Sequence, residues 1–275
     1  MLPWGGAAWL PIICRLMSEN SHPQGAPVGV EAHAAGEIID RHRHDYHQLI
    51  YVSTGVLAIH TEQGDWIASR DRAAWVPAGA WHEHRVFGPT AVHTVGFPVG
   101  EAPLPALPLT ILTVDSLLRE LLLVYTEPGL PAAESRHIRT VLRDRLRRSR
   151  IRPLTLPAAR DPRLAHACQL VADDLRQPRS LAWLARQASA SERTLTRLFR
   201  GEFGLTYPQW RTNVRIFHAM IHLAEGASVT ETAHRCGWAT ASAFIDTFTR
   251  AMGQTPGAYR TPPAGARPAE SSARA

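Results

Sequence analysis

Between residues 180 and 260 the apolar positions fall into one pattern twice. Ala185 is matched by Ala233 and Ser189 by Gly237, at an offset of 48 residues. Beyond that point the offset is 49: Leu195 answers to Phe244, Phe199 to Phe248, Gly204 to Gly253, Thr206 to Thr255, Trp210 to Tyr259 and Arg211 to Arg260. An offset that grows by one at a single place predicts one extra residue in a turn, with the flanking helices kept. Each copy reads as helix, short turn, helix and a Gly-x-Thr break, the pattern of a helix-turn-helix.

The front half alternates differently. Short β-branched and apolar runs at 48–53, 56–61, 66–67, 73–76, 82–87 and 90–97 are separated by Thr54-Gly55, Gly64-Asp65, Pro77-Ala78-Gly79 and Gly88-Pro89. That spacing predicts a small β-barrel or double sheet. Pro98, Pro103, Pro105 and Pro108 exclude a helix or central strand and close the region. Residues 115–125 (Leu117, Leu118, Leu121, Leu122, Val124) and 134–150 (Ile138, Val141, Leu142, Leu146) then show the three- and four-residue spacing of amphipathic helices. Such helices suit covering the open face of the barrel and pairing with a second chain equally well. The arginines at 143, 145, 147, 148, 150 and 152 read as a solvated face rather than a phosphate site.

From residue 161 onward the pattern is helical. Asp161-Pro162 is a cap followed by a first-turn proline, and Leu164, Cys168, Val171, Ala172 and Leu175 form the stripe that Gln177-Pro178 breaks. Ser180 is placed to cap a helix over 181–187. Gly237 suits a turn that needs left-handed backbone, and Ser189 at the equivalent place departs from that rule. The helix over 191–203 is expected to bury Leu195, Leu198 and Phe199 and to present Ser191, Arg193, Thr194, Thr196, Arg197 and Arg200. Its counterpart near Ala241 is expected to bury Phe244, Ile245 and Phe248 and to present Thr240, Ala241, Ser242, Asp246, Thr247 and Arg250. Between them Pro208 opens a helix carrying Trp210, Val214, Phe217 and Ile221, which Gly226 ends.

The formal charge is +6, and all 30 basic residues are arginine. Arginine suits phosphate and guanine, but genomic base composition gives the same bias, so charge alone only permits a polyanionic partner. Cys14, Cys168 and Cys236 are scattered and form no CxxC, which argues against a disulfide framework or structural zinc and makes a reducing cytoplasm the default. No apolar run reaches membrane-spanning length, so no membrane partner is expected. Residues 1–30 are expected to be disordered or an over-extended start, with Met17 a plausible initiator.

Gly36-x5-His42-x-His44-x3-Gln48-x6-Gly55 and Asp71-x5-Pro77-x-Gly79-x2-His82 resemble the two motifs of the cupin barrels, with Gln48 and Asp71 where that family has Glu and Gly. The resemblance implies that His42, His44, Gln48 and His82 line the barrel, as the set that ligates a divalent metal in metal-binding cupins. A neutral amide is a poorer ligand than a carboxylate, so two readings stay open. These residues are either metal ligands or the polar lining of a small-molecule effector pocket, with Trp75 in its wall. Trp66, Trp75 and Trp81 serve equally as core. His47, His60, His84 and His93 carry no motif and are given no role.

The residues from Ser191 to Phe199, with Gly204, Trp210-Arg211, Gly237-Trp238, Ser242-Ala243-Phe244-Ile245, Phe248, Gly253-Gln254-Thr255-Pro256 and Tyr259-Arg260, resemble the AraC/XylS family of bacterial transcription regulators. The likeness implies sequence-specific binding of double-stranded promoter DNA, control by a small effector, a homodimer and contact with RNA polymerase. Within it, Arg193 and Arg197 are the expected base readers. Arg200 and Arg250 are expected on phosphate. The second unit is expected to read weakly, through Ser242, Thr240 and a thymine methyl. The rival functions are a metal-dependent cupin enzyme and a metal-responsive regulator; no catalytic residue is assigned. The expected fold is α+β: a cupin-like barrel over 31–110, helices over 111–152, a linker over 153–162, an all-α domain with two helix-turn-helix units over 163–262, and a disordered tail over 263–275.

Overall fold

The structure, a computed structural model, describes residues 20–21, 26–105, 107–151 and 155–260. The expectations for the first 19 residues and for 263–275 lie outside the described residues. The described part falls into two compact units, a sheet unit within residues 20–61 and 66–151 and a helical unit within 155–260 that also takes in residues 62–65.

The strands before residue 114 are β1 (Asn20–Ser21), β2 (Val28–His33), β3 (Ile38–Arg43), β4 (His47–Thr61), β5 (Gly64–Ala68), β6 (Arg72–Val76), β7 (His82–Phe97) and β8 (Thr110–Thr113). Two long antiparallel strands, β4 and β7, form the spine of the sheet; β3 and β2 pair with successive parts of β7, and β6 lies between β4 and β8. The Thr54-Gly55 and Gly88-Pro89 pairs, expected as turns, lie inside these strands: the β4–β7 register shifts on both sides of Thr54. The reason is a bulge. Gly55 sits at φ +70°, and a Cβ there would lie 2.1 Å from Thr90 Oγ1, so only glycine lets the two backbones meet. The extra residue also switches which side chains face inward, from Ile50 and Val52 before it to Leu57 and Ile59 after it. Strand β2 crosses the boundary expected at residue 30, and β8 continues the sheet past residue 110.

One face of the sheet encloses an apolar interior of Ile50, Val52, Leu57, Ile59, Val76, Val86 and Ile111. The other face is covered by α1 (Ser116–Tyr125) and α2 (Ala132–Arg148), whose Leu118, Leu122, Tyr125, Leu142 and Leu146 pack on Leu49, Tyr51, Trp75 and Phe97. Both helices therefore spend their buried faces within the chain, while Leu117 (51% exposed) and Val141 (43%) remain on the outside. Asp115 caps α1 and is also gripped by Arg145 near the end of α2. That contact, with the Arg147–Asp144 pair at 3.1 Å, accounts for part of the arginine cluster as a paired surface.

A buried chain of hydrogen bonds ties α1 to the spine. The Thr126 hydroxyl donates to the Leu122 carbonyl at 2.9 Å, so it accepts from His93 Nδ1 at 2.7 Å; His93 Nε2 then accepts from Ser53 at 2.8 Å. The arrangement suits a neutral imidazole, and burial, with Arg119 nearby, lowers the His93 pKa to about 4. The folded chain thus refuses a proton that the unfolded chain accepts near its ordinary 6.5. Stability is full above that value and falls as the pH drops from 6.5 toward about 4. The expected loss is up to about 3 kcal/mol. Urea unfolding across this range should show that slope in the wild type and a flatter one in His93→Gln.

The helical unit comprises β9 (Thr155–Pro157), inside the expected linker, and α3 (Pro162–Asp173), α4 (Leu181–Gln187), α5 (Glu192–Phe203), α6 (Tyr207–Ala224), α7 (Val229–Arg235), α8 (Ala241–Met252) and α9 (Pro256–Arg260). Asp161, Ser180, Ser191, Thr206, Ser228 and Thr240 cap the six longer helices in order, each accepting a backbone N–H. Helix α6 has 18 residues and buries eight of them. Trp210 and Val214 join the core of the first helix pair, and Arg211 and Arg215 hold loops on either side through the carbonyls of Leu175, Gln177 and Cys236.

Candidate functional site

The two helix pairs repeat as the spacing predicts. Helices α4 and α7 have 7 residues each, α5 and α8 have 12 each. The turn is 188–191 in the first copy and 236–240 in the second, which is the one-residue insertion. Ala185 and Ala233 are both buried at the close approach, and Gly204 and Gly253 end their helices at φ +68° and +78°. Ser189 and Gly237 adopt the same left-handed turn, at φ +50° and +77°. Ser189 is the only non-glycine at positive φ among the described residues, so Ser189→Gly should stabilise the chain by about 0.5–1 kcal/mol, read as a rise in thermal midpoint.

On α5, Leu195, Leu198 and Phe199 are buried, and Phe199 meets Phe203, Tyr207 and Trp210 in a ring cluster. Arg193, Arg197 and Arg200 stand exposed at i, i+4 and i+7, and no ion pair of the described residues engages them. The acidic Glu202 is turned away to accept the backbone N–H groups of Arg160 and Asp161. Ser191 is occupied in capping Thr194, and Thr196 donates to the Glu192 carbonyl. The outer face of α5 is therefore three uncommitted guanidinium groups on a rigid helix.

Helix α8 presents a different face. Arg250 is paired with Asp246 at 3.0 Å, Thr240 caps the helix, and Thr247 donates to the Ala243 carbonyl and is half buried. Ile245, expected inside, is 38% exposed, and Met252 takes the inward place after Phe244 and Phe248. The repeat explains this: at an offset of 49, Ile245 answers to the outward Thr196 and Thr247 to the buried Leu198. By the same register Arg193 answers to Ser242 and Arg197 to Asp246.

In the sheet unit His42, His44, Gln48 and His82, the set named by the resemblance to the cupin motifs, are all buried and close together. His44 Nδ1 lies 2.7 Å from the Tyr46 carbonyl and its Nε2 2.9 Å from Gln48 Oε1. Both partners as placed are acceptors, so the ring either carries two protons or the Gln48 amide turns to offer its NH₂; the second choice buries no charge. The group that comes nearest to a metal-ligand arrangement is His42, His82 and His84, whose ligand nitrogens lie within 4.8 Å of one another. His84 faces inward opposite Ile59, two residues along β7 from His82. Burial, with His82, His42 and His44 beside it, holds the His84 imidazole well below its usual range. Trp75 is corrected. It belongs to the layer under α1 and α2, against His47 and Phe97, because its neighbour Val76, not Trp75, shares the inward face with Gln48 and Ile50.

A family model described as a helix-turn-helix domain matches residues 184–262, and one described as an AraC-like ligand binding domain matches 24–104. The HTH-type transcriptional regulator NimR of Escherichia coli (strain K12) is 30% identical over 223 residues, covering 79% of this chain and 81% of that protein. The chain belongs to the AraC/XylS family of transcriptional regulators. It is also 33% identical over 117 residues to the HTH-type transcriptional activator RhaR of Salmonella schwarzengrund (strain CVM19633), 42% of each chain. Among solved structures, the DNA-binding domain of AdpA in complex with a target DNA is 35% identical and covers 36% of this chain and 90% of that one, with a TM-score of 0.34. These families and relatives are regulators, not enzymes, so the AraC-type chain is a DNA-binding transcriptional regulator and the cupin-enzyme reading falls away. No helix among the described residues is long and apolar enough to cross a membrane.

Two residues escaped the sequence reading of this AraC-type chain. His84 stands to His82 as His44 stands to His42, and the same i, i+2 rule places it on the same face. Ile245 was legible from the offset of 49 alone.

Proposed function

We propose that this regulator reads its operator chiefly through α5 and uses α8 to fix position. The observation that carries this is the difference between three exposed, uncommitted arginines on α5 and a single arginine already tied to Asp246 on α8. Arg193 and Arg197, near the start of the helix, reach base edges, where a guanidinium bonds guanine O6 and N7 together. Arg200 and Arg250 contact phosphate and set register without reading sequence. In the second unit Ser242, Thr240 and the exposed Ile245 offer small polar groups and an apolar surface for a thymine methyl. Buried α6 holds the two readers at a fixed separation, so both enter the same side of the duplex about one turn, roughly 34 Å, apart.

The buried polar interior with His42, His44, Gln48 and His82 is the place for a small effector, and the outward apolar positions Leu117 and Val141 suit a homodimer contact between copies of α1 and α2. The regulator then acts in the cytoplasm on promoter DNA, beside RNA polymerase. The test is a footprint of the full chain on its own upstream DNA at stated salt. Protection of two patches about 10 base pairs apart, weakening steeply with salt, supports the reading. Protection of one patch, or uniform coating of any DNA, contradicts it.

A further inference from the structure

We propose that His42, His82 and His84 hold a divalent transition-metal ion inside the sheet, at a site that recruits His84 from outside both histidine motifs and leaves out His44 and Gln48. The three side chains come from β3 and β7, and their ligand nitrogens lie within 4.8 Å of one another. Ring centroids stand 4.3 Å apart for His42 and His82, 5.0 Å for His82 and His84, and 5.5 Å for His42 and His84. Around a tetrahedral ion with bonds of about 2.0–2.1 Å the nitrogens sit about 3.3 Å apart, so closure asks for ring rotations and not a new backbone.

The surroundings of the rings favour the same reading. His42 Nδ1 meets the Asp40 carbonyl at 2.8 Å and His82 Nδ1 the Ala80 carbonyl at 2.9 Å. A carbonyl only accepts, so each Nδ1 carries the hydrogen and each Nε2 keeps its lone pair, the outer support that metal-bound histidines have. His84 Nε2 is buried without a hydrogen-bond partner, an arrangement that an ion would satisfy. His44, by contrast, has both ring nitrogens engaged by Tyr46 and Gln48 and its ring stacked on Tyr46 at 4.3 Å.

Imidazole suits zinc, cobalt, nickel and copper, and a three-histidine set leaves a position open. Among the described residues no carboxylate joins the group, so the ion's charge is left for a hydroxide or an anionic oxygen ligand at that position. The proposal is independent of which DNA the chain reads.

The test uses the full chain, stripped with chelator and titrated with cobalt(II), following visible absorption and metal content, with circular dichroism to confirm that each variant is folded. One ion per chain is expected in the wild type and in His44→Ala. In His84→Ala, and in the size-matched His84→Gln, affinity should drop by about tenfold or more. A wild type that takes up no stoichiometric cobalt overturns the proposal. So does wild-type affinity in both folded His84 variants, or loss of binding in His44→Ala with His84→Ala unchanged.

Discussion

Gly237→Ala is expected to lower the stability of the helical unit by about 3 kcal/mol, the sum of a left-handed alanine and a displaced backbone. The glycine lies in the turn between α7 and α8 at φ +77°, where a Cβ would stand 2.2 Å from the Leu175 carbonyl oxygen and 3.0 Å from Arg176 Cα. These are backbone atoms of the segment after α3, so no side chain can swing aside. Leu175 is part of the core of the first helix pair, and its carbonyl also accepts from Arg211. The clash therefore travels from the turn of the second helix pair into the core of the first. Gly253→Ala is the control: its φ is +78° and nothing lies within 4 Å of its added Cβ, so only the conformational cost of about 1 kcal/mol remains. Thermal unfolding of the two variants measures the difference. A loss in Gly237→Ala no greater than in Gly253→Ala would show that the contact is unimportant.

The second large effect is on DNA. Arg197→Ala should cost about 1–3 kcal/mol on the operator, roughly 5- to 150-fold in affinity, and relax the preference at one base pair. Its loss on random DNA should be much smaller. Arg197 is exposed one turn beyond Arg193, on a helix whose inner face is locked by Phe199 and whose start is capped by Ser191, so its approach to the groove is set in advance. Arg250→Ala should weaken specific and random DNA alike. Removing Arg250 also releases Asp246, whose charge then faces the phosphates alone. Fluorescence titrations at one stated salt concentration compare the four combinations. Equal losses on both DNAs for Arg197→Ala would remove it from the base-reading set.

The helical unit was legible almost throughout because its scaffold positions occur twice. Caps, helix lengths and the extra turn residue all follow from comparing one copy with the other. Ile245 went astray only where helical spacing was applied to the second copy alone; the repeat register places it outward with Thr196. The sheet was less legible because glycine and proline mark bulges as well as turns. Gly55 and Gly88-Pro89 sit inside strands that run through them. A bulge shifts the alternation by one, so the side to which a tryptophan turns is not visible locally, and Trp75 faces the helices rather than the interior. The motif histidines carry the resemblance to the cupin barrels. His84 was missed because it follows the motif rather than belonging to it, although strand geometry alone joins it to His82.

The central claim is that the first unit reads and the second positions. Selection of bound sequences from random DNA by the full chain, at stated salt, measures base preference separately under each unit. The account predicts a strongly constrained half-site containing guanine under α5, and, about one turn away, a weakly constrained half-site with at most a thymine preference under α8. Arg197→Ala should erase one guanine from the first half-site and leave the second unchanged. Two half-sites of equal constraint, or the stronger one responding to Ser242→Ala and not to Arg197→Ala, would contradict it.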